Sequence, residues 1–106
     1  MTTSRIDIFR LMLQSDPDNT SVLFGLAKEY EKAGRWDELA ETLTEYLTRA
    51  DDEGNAYGML ARAHAETGRR DLARRALERG AEVALAHGHP SMAEDYRATL
   101  ESDYAD

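Results

Sequence analysis

The sequence predicts an all-α chain: a short right-handed solenoid of six helices, each antiparallel to its neighbour. Three observations carry that prediction. Ala, Leu, Glu and Arg, all good helix formers, dominate the 106 residues, and no alternating run of β-branched residues marks a strand. Turn signals punctuate the chain at Asp16-Pro17-Asp18-Asn19, Gly34, Asp51-Asp52-Glu53-Gly54, Gly68 and Gly88-His89-Pro90. Connections this short force consecutive helices to pack antiparallel. Finally, the chain repeats itself when shifted by 34 residues.

The elements follow in order. A first helix over 4–15 is stopped at Asp16-Pro17, and the same polar cluster caps a second over 20–33. Gly34 ends the second helix, and a third spans 36–49. The acidic segment closing on Gly54 leads into a fourth over 54–67, which Gly68 terminates. A fifth helix covers 70–87, and Gly88-His89-Pro90 separates it from a sixth over 91–104. The expected core is Phe9 and Leu13, then Leu23, Leu26, Ala27 and Tyr30, then Leu39, Leu43 and Leu47. Tyr57, Leu60, Ala61, Leu72, Leu77 and Leu85 continue it, and Tyr96 and Leu100 close the end. One domain over 1–106 is expected.

Composition removes several function classes. Thirteen basic residues against 21 acidic ones leave a net charge of -8, which opposes nucleic-acid phosphates and an anionic membrane surface. Residues 68–88 hold five arginines, but Asp71, Glu78 and Glu82 interrupt them. No cysteine is present for a disulfide, a thiol nucleophile or a thiolate zinc site. Asp7 and Arg10 break the opening apolar run, so it does not read as a secretory signal, and no stretch approaches a bilayer span. A cytoplasmic protein is the expectation.

The repeat carries the next step. A shift of 34 lays Gly34-Arg35-Trp36-Asp37 on Gly68-Arg69-Arg70-Asp71, Leu26-Ala27 on Leu60-Ala61, Leu23 on Tyr57 and Tyr30 on His64. Phe9, Leu43 and Leu77 share one register. A large residue, then Leu and a small residue, then an aromatic fall on one helix face, where the small residue lets a paired helix approach closely. This pattern resembles the tetratricopeptide repeat (TPR) family, over two full repeats at 20–53 and 54–87. A half-repeat helix at 1–17 and a capping helix at 90–106 flank them. His64 stands where the family has an aromatic, and the repeat-ending proline occurs only at Pro17.

The resemblance implies a stack whose first helices line a concave groove that binds a peptide segment. The matching groove positions include Ser21, Phe24, Lys28, Lys32, Asn55 and Arg62. Lys28 and Arg62 stand one period apart, which suits an acidic or carboxylate-bearing peptide, with Phe24 as an apolar anchor. Phe24, Lys28 and Met59 depart from the family's chaperone-tail clamp, so a heat-shock-chaperone tail is not the expected ligand.

The first helix offers a second surface. Its apolar residues, among them Ile6, Ile8, Phe9 and Met12, spread over about 220° of the helix circumference, well beyond a one-sided stripe. Self-association into a homodimer through that face is the alternative expectation. His87 and His89 are the only metal-like spacing, and no third ligand is identifiable from it. No nucleophile–base order, phosphate-cradling loop or metal motif can be assembled. Neither an enzyme nor a cofactor is expected; the expected partner is a protein or peptide.

Overall fold

A computed structural model describes residues 4–105. The first three positions of the expected half-repeat, and the last position of the capping segment, lie outside the described residues. Six helices and no strand are found among those described: α1 (Arg5–Ser15), α2 (Thr20–Ala33), α3 (Trp36–Arg49), α4 (Asn55–Glu66), α5 (Arg70–Ala86) and α6 (Pro90–Asp103). The chain divides into two compact units between Ala50 and Asp51, close to the expected repeat boundary.

The helix ends have identifiable causes. Ser4 Oγ accepts from the Asp7 amide and starts α1, while Asn19 Oδ1 accepts from the Val22 amide and starts α2. Asp52 Oδ2 accepts from the amides of Gly54 and Ala56 at the head of α4. Pro90 opens α6 at the first helical position, where a missing N–H costs nothing. Gly34 and Gly68 end α2 and α4 in the left-handed region, at φ 68° and 74°. At each, the residue after the glycine donates back to the carbonyl five positions earlier: Arg35 to Tyr30 at 3.0 Å and Arg69 to His64 at 2.8 Å. The two turns, one period apart, are thus the same structure.

In the first unit, α2 packs between α1 and α3. Leu23, Leu26, Ala27 and Tyr30 are buried on one stripe of α2, and Leu39 and Leu43 are buried on α3, which packs against it. Phe9, Leu13 and Leu47 are half-buried at its margin. Arg49 donates to Asp18 at 2.7 Å, which ties the end of α3 to the loop before α2.

The second unit packs α5 between α4 and α6 around smaller side chains. Ala61, Ala73, Ala76, Leu77, Gly80, Ala81, Ala84 and Ala93 are buried, and half-buried Leu60, Tyr96, Leu100 and Tyr104 enclose part of that cluster. Tyr57 is also half-buried. Leu72 and Leu85 depart from the expected core, being 40% and 44% exposed. The buried stripe of α5 runs through 73, 76, 77, 80, 81 and 84. Leu72 and Leu85 each lie one residue, or about 100°, beyond its two ends.

His64 shows what the repeat tolerates. Its counterpart Tyr30 lies under the Arg35 guanidinium, 5.0 Å from the ring centre. His64 instead has a buried Nδ1 without a hydrogen-bond partner among the described residues. Burial, then the Arg69 charge, holds its pKa below the ordinary imidazole value, so the fold favours the neutral ring. The unfolded chain therefore takes up the proton more readily, and this contribution to stability is lost as pH falls below about 6.5. His64→Tyr is expected to stabilise the chain by about 0.5–1 kcal/mol at neutral pH through a contact with Arg69. Thermal melts of both proteins at pH 7.5 and 5.5 check this, with the advantage of the variant widening at the lower pH.

Candidate functional site

A concave surface lies in the second unit, between α4 and α6. Gly58, Ala61, Arg62 and Ala65 recur at helical spacing on one face of α4. Asp95, Tyr96, Thr99 and Asp103 form the facing wall on α6, and Leu77 of α5 contributes to the lining between them. The small residues of α4 leave room for an open groove with a volume of about 330 Å³. The lining combines Gly58, Ala61, Ala65 and Leu77 with Arg62 and two carboxylates.

The middle and the end of α6 are held in place. At its midpoint, the Tyr96 hydroxyl donates to the Gly54 carbonyl at 2.6 Å and accepts from the Gly58 amide at 3.1 Å. It bridges two backbone groups that a regular first turn of α4 would join directly. Burial raises the pKa of this phenol, so the hydroxyl keeps its proton through neutral pH. At its C-terminal end, Arg70 donates to the Asp103 carbonyl at 2.8 Å and Arg74 to the Tyr104 carbonyl at 3.1 Å. Two cations thus meet the negative end of the α6 dipole, where carbonyls lack helical partners. The Arg70 guanidinium also lies 4.8 Å from the Tyr104 ring centre, fixing the ring that closes the groove.

Of the expected peptide-binding residues, Arg62 lines this groove, and Asn55 is exposed at the first position of α4. Ser21, Phe24, Lys28 and Lys32 belong to the first unit. There Phe24 is half-buried against Tyr46, with ring centres 5.1 Å apart, and the Lys28 ammonium sits 5.5 Å from the Phe24 ring centre. Lys32 donates to Glu29 at 3.3 Å on its own helix, and Ser21 is exposed. Asp95, Thr99, Asp103 and Tyr104 escaped the sequence reading, because α6 does not keep the 34-residue register. The four-residue recurrence of 95, 99 and 103 was the signal available.

The self-association set divides in two. Phe9 turns inward, its ring lying where a side chain on Gly25 would reach, and the Arg5 guanidinium covers it at 5.4 Å. Ile6 is half-buried on the same side of α1. These two therefore do not belong to an exposed face. Ile8 and Met12 do, together with Leu11, which is 66% exposed. No described helix is long and apolar enough to cross a membrane.

His87 and His89 take part in loop contacts. His87 Nδ1–H donates to the Val83 carbonyl at 2.9 Å, and Nε2 lies 3.2 Å from Asp51 Oδ1. His89 Nε2 contacts Glu53. The Val83 hydrogen bond, with the Asp51 carboxylate, raises the pKa of His87. Among the described residues, no three His, Asp or Glu side chains gather as a metal-binding group. No protein-family model matches the chain, and a search of curated proteins returned no significant match.

Proposed function

We propose that the chain is a non-catalytic, TPR-type interaction module that captures a peptide segment of another protein between α4 and α6. The observation that carries this reading is the groove itself: a lining of small apolar residues and charged side chains, with α6 held at its middle by Tyr96 and at its end by Arg70 and Arg74. A rigid groove costs a ligand less than one that must be ordered on binding. The identical turns at Gly34 and Gly68 support the repeat reading. A cytoplasmic location belongs to the same proposal, resting on the acidic charge and absent cysteine. The test is selection from a displayed peptide library, followed by binding to an Ala65→Trp variant. Ala65 is exposed, so tryptophan fills the groove without entering the core. Affinity should fall at least about tenfold; unchanged binding would remove the groove from the function.

Self-association through α1 is a second reading, favoured by Ile8, Leu11 and Met12 facing solvent together. Sedimentation at high micromolar concentration should show a dimer, and Ile8→Asp with Met12→Asp should return it to monomer. A wild-type monomer under those conditions overturns this reading.

A further inference from the structure

We infer that His87 is a pH-operated latch on the loop that begins α4: protonated, it holds Asp51, and neutral, it releases it. Two contacts join this loop to the turn between α5 and α6, each across 36 residues of sequence. His87 Nε2 lies 3.2 Å from Asp51 Oδ1, and His89 Nε2 meets Glu53. The loop matters because it starts a helix. Asp52 accepts from the Gly54 and Ala56 amides, and the Gly54 carbonyl accepts from Tyr96. Gly54 is also closely packed, since a β-carbon built there would lie 2.7 Å from Met92 Sδ and 3.3 Å from the Ala84 Cβ. The latch therefore acts on the exposed edge of a turn whose glycine is buried.

One hydrogen bond sets the direction of the switch. His87 Nδ1 lies 2.9 Å from the Val83 carbonyl, which can only accept, so Nδ1 carries a proton. In the neutral ring the other nitrogen, Nε2, then presents a bare lone pair. The carboxylate oxygen facing it is a second acceptor, and the two repel. Only the imidazolium has a proton to place between them. His89 differs, because its neutral ring with the proton on Nε2 still donates to Glu53 and keeps the loop near. The surroundings favour the closed state. His87 stands at the negative end of the α5 dipole, and the charges that bear on it from the loop are Asp51 and Glu53. Asp52 is turned to the head of α4, Glu82 of α5 pairs with Arg79, and the first charge along α6 is Glu94. The Val83 hydrogen bond and the Asp51 carboxylate raise the His87 pKa, so the folded chain holds this proton more tightly than the unfolded one. The contribution is complete below the ordinary imidazole value and is lost as pH rises through the raised one. His64 acts in the opposite sense, so the readout must be local.

The test follows the full chain by NMR. The His87 ring protons should titrate above the ordinary imidazole value, and Asp51→Asn should lower that midpoint. Hydrogen-exchange protection of the Gly54 amide, divided by that of buried Leu77 in α5, should fall about two- to fivefold between about pH 5.5 and about pH 8. Asp51→Asn should abolish this fall, because its side-chain amide donates to the neutral Nε2 and holds the loop at both values. His87→Gln, which has no proton to lose in this range, should abolish it too, whereas His89→Gln should keep it. Asp51 is exposed and His87 half-buried at a helix end, and circular dichroism checks that each variant stays helical. Three results overturn the inference: a His87 midpoint at or below the ordinary value, equal Gly54 protection at both pH values in the wild type, or a fall of wild-type size in His87→Gln or Asp51→Asn. Loss of the fall in His89→Gln alone would move the switch to the other histidine and overturn it as well.

Discussion

Gly80→Ala is expected to destabilise the protein by about 1–3 kcal/mol, although the same change at an exposed helical position stabilises a helix. A β-carbon built at Gly80 would lie 2.7 Å from the Tyr57 Cβ and 2.9 Å from the Tyr96 ring. The first of these atoms is the stem of a side chain on α4, so rotation of the tyrosine cannot relieve the contact. Either α5 withdraws from α4 or the helices shift along each other. The gain in helix propensity, about 1 kcal/mol, offsets part of the cost. Chemical denaturation followed by circular dichroism measures the difference; a variant as stable as wild type would show that α4 and α5 are not in such close contact.

Tyr96→Phe should cost about 1–3 kcal/mol while leaving the ring in place. The lost hydroxyl is the link between the Gly58 amide and the Gly54 carbonyl, and phenylalanine leaves both groups without that partner. The fit allows little substitution: a β-carbon on Gly58 would come within 2.9 Å of the same oxygen. Two measurements separate this hydrogen-bonding role from simple packing. Hydrogen exchange at the Gly58 amide should quicken more than at core amides of α5. The alkaline limb of the stability profile should also change. The folded phenol has a raised pKa, so its contribution is present below about pH 10 and is lost as pH rises beyond that value. Phenylalanine has no proton to lose, and the alkaline decline should be shallower.

The helix boundaries were legible because the residues that make them act locally. Gly34 and Gly68 adopt left-handed backbone, Asn19 caps α2, and Pro90 sits at a helix start. The leucines of α2 and α3 were legible too, since their periodicity selects one face of each helix. The second unit was less so. Alanine is a helix former wherever it stands, and its burial along α5 shows only when the stripe is traced. Leu72 and Leu85 drew attention by hydrophobicity alone and lie outside that stripe. The groove depends on the seating of α6, which Tyr96 sets through Gly58 and Gly80, 38 and 16 residues away in the chain. No period links those three positions. The pairing of His87 with Asp51 is hidden in the same way, since neither loop signals the other.

The principal helix contacts within the units join elements adjacent in sequence: α1 with α2, α2 with α3, α4 with α5, and α5 with α6. Each closes a short loop, so little chain entropy is lost before native contacts begin to form. Such local topology places folding in the microsecond-to-millisecond range. The half-life of any unfolded excursion is correspondingly brief, which limits the time that Leu23, Leu39 and Leu43 are open to proteases or to other unfolded chains.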